Sequence, residues 1–201
     1  MMRQQGGFYW PDHDKTGADC ILRHAAKHFP GALKYVRGRT LAVQAGGNVG
    51  VYPASLAKSF KQVLTFEPDA ENFSCLRRNT EGIPNLTAAN VGLGSGPSRA
   101  ALFRNPDNAG AYKIIDGDEF DLISIDSLGL DACDLIWLDV EGHEEMVLEG
   151  ARETVSRFRP TVILEDMGIG ETFGRARALL KKQFDYREVT KILNDFVMVP
   201  C

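Results

Sequence analysis

Three short apolar runs, TLAVQA (40–45), CDLIWLDV (133–140) and TVILED (161–166), constrain this chain more than any other feature. Each is short and nearly unbroken, which suits a strand covered on both faces, as in the middle of a parallel sheet. Helical spacing fills the intervals. ADCILRHAAKHF (18–29) sets Ile21, Leu22, Ala25, Ala26 and Phe29 on one face, with Pro30 and Gly31 read as its stop. VYPASLAKSF (51–60) carries Pro53 in its first turn, PDAENFSCLRRNT (68–80) opens on Pro68, and HEEMVLEGARETVSRF (143–158) and ETFGRARALLKKQ (171–183) follow later. QVLTFE (62–67) and LTAANVGL (86–93) supply further strands. FDYREV (184–189) and DFVMVP (195–200) are separated only by TKILN, too short for a crossover helix, so they pair antiparallel. The expected fold class is α/β: a Rossmann-like, doubly wound, mainly parallel seven-stranded sheet ending in an antiparallel hairpin. One domain is expected over 1–201, with an N-terminal arm and helix in 1–39. The looser stretch 94–131, with possible strands at 101–103 and 121–125, is expected to face the substrate.

The first of these strands runs into AGGNVG (45–50) and then into a helix. Glycines at such a turn let a ligand approach the backbone and leave helix N–H groups free to meet it. In this sheet class the turn lies at the switch in strand order, and an acid about 20 residues on binds ribose hydroxyls. Glu67 stands 21 positions after Gly46. A tight turn that binds nothing, with Glu67 as a helix cap, is the plainer alternative. Where the dinucleotide fingerprint needs its first glycine the chain has Ala45, which weakens NAD and favours S-adenosylmethionine, whose amino-acid end needs no pyrophosphate cradle.

Charge narrows the partners. A formal net charge of -4 argues against general nucleic-acid binding. No apolar run reaches the length of a membrane helix, and MMRQQGGFYWPDHD lacks the apolar centre of a leader, so a cytoplasmic protein without a membrane partner is expected. Cys20, Cys75, Cys133 and Cys201 form no CxxC pair and read as reduced thiols. Self-association is left open.

In this order the motifs resemble the FkbM-type class I methyltransferases. VQAGGNVG resembles that family's VDVGANxG, LTFEPDAENFSCLRRN its FEPxPxxFxxLxxN, and NVGLG its NxALG. IDSLGLDACDLIWLDVEGHEEMVLEGA is similar to its LDxL…DLxKIDVEGxExxVLxGA, and FRPTVILED to its RPxxxxE strand. The resemblance implies S-adenosylmethionine as cofactor and a small-molecule or sugar-type hydroxyl as acceptor. It would set Gln44, Gly46, Gly47, Asn48 and Gly50 around the methionine portion, Glu67 at the ribose, Asn90 and Val91 at the adenine, and Asp139 near the sulfonium methyl. Two positions depart from the pattern: Gln44 stands for an acid and Leu138 for a lysine. An NAD-dependent oxidoreductase and a cofactor-binding module without catalysis stay as rival readings.

Methyl transfer to a hydroxyl needs alignment and a proton acceptor. Asp139, Glu141 and His143 of LDVEGHE are the candidate catalytic residues, with Glu165 and Asp166 beside them. The same five could hold a divalent ion, but spacing alone does not show convergence, so no metal is assigned. On plainer readings Glu141 caps a helix, Glu144 and Glu145 are solvated, and His143 is a first-turn surface residue. His24 and His28, one helical turn apart, read as a solvated helix edge. NPDN (105–108) sits in the wrong segment to match the NPPY of amino-methylating enzymes, and FYWPDHD (8–14) reads as a packed arm or an aromatic lid.

Overall fold

The computed structural model describes residues 1–166 and 174–201, with the backbone alone at 26–28. A hairpin of β1 (Met2–Gln5) and β2 (Phe8–Pro11) precedes helix α1 (Gly17–Leu33). Strand and helix then alternate through β3 (Leu41–Ala45), α2 (Val51–Ala57), β4 (Gln62–Phe66), α3 (Ala70–Asn79) and β5 (Leu86–Ala89). Four short strands follow: β6 (Gly92–Leu93), β7 (Ser98–Phe103), β8 (Lys113–Asp116) and β9 (Phe120–Ile123). The chain returns through β10 (Leu135–Leu138), α4 (Glu144–Glu149), α5 (Arg152–Phe158), β11 (Thr161–Glu165), α6 (Arg175–Phe184), β12 (Tyr186–Ile192) and β13 (Asp195–Pro200).

Among the described residues seven strands form the main sheet, in the order β12-β13-β11-β10-β3-β4-β5, and only β13 runs against its neighbours. This is the expected doubly wound fold with its terminal hairpin. Alternation along the central strands explains their apolar runs. Val43, Ile136, Leu138, Val162 and Leu164 pack against α4, α5 and α6 on one face, while Ala42, Leu135, Trp137 and Ile163 meet α1 and α2 on the other. On that second face Phe29 stacks on Trp137 with ring centroids 5.0 Å apart.

Several boundaries differ from expectation. Helix α1 passes through Pro30 to Leu33, because Phe29, Ala32 and Val36 are held in the core and their burial outweighs one missing N–H bond. The expected strand 86–93 is two strands in two sheets, bent where the Asn90 amide donates to the Glu67 and Pro68 carbonyls. The expected helix 143–158 breaks at Gly150, where a Cβ would lie 2.0 Å from the Gly94 carbonyl oxygen. Asp126 then caps α5, its carboxylate accepting from the Glu153 and Thr154 N–H groups. Helix α3 begins at Ala70, not Pro68, and its cap is not Glu67 but Asp69, which accepts from the Glu71 and Asn72 N–H groups. The expected start of the last helix, 171–173, lies outside the described residues. The loosely patterned 94–131 region holds most of a four-stranded sheet in the order β6-β9-β7-β8. FYWP is a packed arm: Trp10 is buried, and Asn79 both accepts from the Tyr9 N–H and donates to its carbonyl. No helix among the described residues is long and apolar enough to cross a membrane.

Candidate functional site

Parallel register sets Phe66, Ala45, Leu138 and Leu164 in one row. The residues after them, Glu67, Gly46, Asp139 and Glu165, therefore emerge side by side at the carboxyl edge of the sheet. Glu165 is in turn paired with Asp195 of β13. The chain runs outward from β3 to β5 and returns to β10 on the other side of β3, so this row spans the switch in strand order. A cavity of about 350 Å³ opens on it, walled by the Gly46–Asn48 turn, Glu67, Asn72, Tyr52, one side of α1 and the Asn108–Tyr112 stretch.

On one side of this cavity the glycine turn is shaped by the protein's own backbone. Gly46 has φ +80°, and a Cβ there would lie 1.8 Å from the Asp139 carbonyl oxygen. At Gly47 a Cβ would meet Leu76 at 2.6 Å and Thr65 at 2.7 Å. Gly50, with φ 95°, is the N-cap of α2 and does not line the cavity. The Glu67 carboxylate is buried and accepts from the Asn48 N–H at 2.7 Å and the Asp69 N–H at 2.9 Å. Burial pushes its pKa up to about 7. Asn72 is buried in the same wall, and its Oδ1 has no hydrogen-bond partner.

Three expected binding residues sit behind the wall. The Gln44 amide nitrogen donates to the Ala45 and Gly46 carbonyls and its oxygen accepts from Thr65, so it staples the turn. Asn90 braces the Glu67–Pro68 backbone, and Val91 packs on the core, while Gly92 and Leu93 form the cavity wall there.

The other side is acidic. Carboxylate oxygens of Asp139, Glu141 and Glu165 lie within 4.8 Å of one another, close enough to share a cation. Burial, followed by repulsion from Glu165, Asp195 and Glu141, raises the Asp139 pKa well above the usual carboxylate range. Glu141, in a left-handed conformation at φ 53°, is raised to about 7, first by burial and then by Glu165. Tyr52 reaches into this group: burial and the charges of Asp195, Asp139 and Glu165 raise its phenol.

The remaining candidates point elsewhere. Asp166 is buried in an ion pair, accepting from Arg177 Nε at 2.7 Å. The His143 ring lies against Gly94 with Nε2 buried and unpartnered, off the cavity lining, and burial lowers its pKa. Glu144, expected to be solvated, is buried and accepts from the Val140 and Gly142 N–H groups, so it closes the DVEG turn, and the N-cap position of α4 is His143, not Glu141. His24, expected on a solvated edge, lines the cavity beside Cys20, whose Sγ is 3.7 Å from Nδ1; the His28 side chain lies outside the described residues. Tyr52, Asn72 and the α1 wall were not singled out from sequence. Only Tyr52 carried a signal, two positions after the last glycine of the turn.

The profile of the methyltransferase FkbM domain matches residues 44–188, most of the chain and all of the sheet edge just described. The chain belongs to the FkbM methyltransferase family. That is the family the motifs pointed to. Among solved structures it is similar to the FkbM methyltransferase of Methylobacillus flagellatus KT, with 21% identity and a TM-score of 0.57 over 87% of this chain and 47% of that one. It thus spans about half the length of that relative. Precorrin-6y C5,15-methyltransferase of Geobacter metallireducens GS-15 aligns at 11% identity and TM-score 0.54, over 96% of this chain and 91% of that one. The ribosomal protein L11 methylase of Lactobacillus delbrueckii subsp. bulgaricus aligns at 12% identity and TM-score 0.53, over 95% and 83%. These likenesses are of fold, and one fold serves acceptors as unlike as a precorrin and a ribosomal protein. No curated protein sequence matches the chain.

Proposed function

We propose that this FkbM-family methyltransferase transfers a methyl group from S-adenosylmethionine to a hydroxyl of a small molecule or sugar. The observation that carries the reading is the single row Glu67, Gly46, Asp139 and Glu165 along one cavity, which sets a sugar-binding carboxylate beside a proton-accepting one. The wall fits a nucleoside carrying a positive centre. Glu67 keeps acceptor sites beyond the two amides it already binds. Pro68, Leu93, Leu102 and Ile114 give an apolar wall for a base. The ionisable lining includes Glu67, Asp139, Glu141 and Glu165 but no lysine or arginine among the described residues, which suits a sulfonium better than the pyrophosphate of NAD.

In this reading the amino-acid end lies against the Gly46–Asn48 turn, whose N–H groups are engaged by the Phe66 carbonyl and Glu67, and Glu67 takes the ribose hydroxyls. Bound there, S-adenosylmethionine supplies an electrophilic methyl carbon. Asp139, buffered by Glu165, receives the acceptor's hydroxyl proton, and its raised pKa brings it nearer the operating pH of a general base. Glu141 adds to the repulsion that raises the Asp139 pKa. His143, turned away from the cavity, takes no part in this scheme.

The reading predicts proton-linked binding. Ribose hydroxyls donate to ionised Glu67, so affinity for S-adenosylhomocysteine falls as the pH drops through about 7. Titration calorimetry should find binding about tenfold weaker at pH 6 than at pH 8, the ratio expected when only the ionised form of a group with that pKa binds. Glu67→Gln should bind more weakly and lose most of this slope; an unchanged slope in the variant would remove Glu67 from the ribose site.

A further inference from the structure

The loop joining β7 to β8, residues 104–112, forms one wall of the cavity, yet no strand pairing ties it to the main sheet. It is fastened mainly by side chains, and they converge on Ala109. The Ala109 N–H donates to Asp14 Oδ1 at 3.0 Å. Its carbonyl accepts from Asn48 Nδ2 at 3.0 Å and from Asn72 Nδ2 at 2.9 Å. Asp14 belongs to the N-terminal arm, Asn48 to the glycine turn and Asn72 to α3, so three separate elements meet at one buried peptide. Further contacts pin the loop at its ends: Arg104 donates to Asp69, the α3 cap, and Tyr112 hydrogen-bonds His13 of the arm.

Asn72 is the unusual member of this set. It is 2% exposed, it lines the cavity five positions after Glu67, and its Oδ1 is buried without a partner while the NH2 group donates to Ala109 and also bonds the Glu67 carboxylate. A buried acceptor left unmade is costly, and that cost falls when a donor is brought within reach. Ribose hydroxyls at Glu67 are the nearest donors the proposed function supplies. Because both atoms belong to one rigid amide, fixing the oxygen also fixes the nitrogen that grips the loop.

We propose that Asn72 is a positioning residue through which a nucleoside at Glu67 sets the 104–112 wall, so that the acceptor's side of the cavity takes its final shape only after the cofactor is in place. The inference rests on the proposed cofactor site. Occupancy is transmitted along Asn72 to Ala109 and from there to Tyr112.

Hydrogen exchange on the full chain, with and without saturating S-adenosylhomocysteine, tests this. The amides of 109–111 in the native protein should exchange about tenfold more slowly when the nucleoside is bound. In Asn72→Ala, with binding confirmed by calorimetry and the ligand raised to saturation, most of that slowing should vanish. Slowing that persists in the variant would mean the ligand shields the loop directly and would overturn the proposal. So would loop exchange in the native protein that ignores a bound ligand, a result that stands even if the variant fails to fold. Absence of S-adenosylhomocysteine binding to the native protein would instead overturn the cofactor reading, and the proposal with it.

Discussion

Gly46→Ala is expected to destabilise the chain by roughly 2–6 kcal/mol, the sum of left-handed strain and forced overpacking. At φ +80° any side chain is strained, and here the added Cβ would also lie 1.8 Å from the Asp139 carbonyl oxygen. That oxygen is main chain, at the end of a central strand, so neither partner can move without parting β3 from β10. The loss is a large share of the roughly 5–15 kcal/mol that holds an ordinary domain together. Gly142→Ala is the matched comparison. Its φ is +102°, but a Cβ there would meet nothing within 4 Å, so only the strain of about 1–3 kcal/mol applies. Denaturant unfolding of both variants separates the two effects, and equal losses would show that the close approach of turn and strand does not matter.

Asp139→Asn should lower methyl transfer by about 10²–10⁴-fold, the range for removing a general base, and leave affinity for S-adenosylhomocysteine within a few-fold. The same substitution should make the fold more stable at neutral pH. Burial and three neighbouring carboxylates raise the folded-state pKa of Asp139, so the native state binds more protons than the unfolded chain between the ordinary aspartate value and the raised one. Stability therefore falls as pH rises through that window. Asparagine mimics the protonated form, escapes the loss and flattens the melting temperature against pH. Labelled-methyl transfer to hydroxylated acceptors and melting curves between pH 4 and 8 measure the two effects. Lost stability at pH 7.5 would show that the carboxylates are not in conflict, and retained transfer would move the base elsewhere.

The architecture was legible in the sequence because its central strands are buried on both faces: LAV and LIWL have no polar side to hide. The terminal hairpin was legible for a different reason, a connection too short for any other answer. Breaks in the middle of elements were not. Gly150 and Asn90 interrupt a helix and a strand through contacts with Gly94 and Glu67, which are distant in sequence, and local pattern carries no trace of them.

The site shows the same division. Glu67, Gly46 and Asp139 were readable because each ends or follows a strand, and register does the rest. The direction of a side chain after a turn was not readable: Glu144 and His143 are neighbours, yet one closes the DVEG turn and the other packs against Gly94. His24 faces the cavity because α1 lies across the sheet edge, a tertiary fact that helical spacing within 18–29 leaves open.

The central claim is that the cavity above Gly46 and Glu67 takes the adenosyl cofactor of methyl transfer and not a dinucleotide. Parallel calorimetric titrations of the native chain with S-adenosylhomocysteine and with NAD test it most directly. One-to-one binding of S-adenosylhomocysteine with no heat of binding from NAD is the predicted result; binding of NAD alone would contradict it.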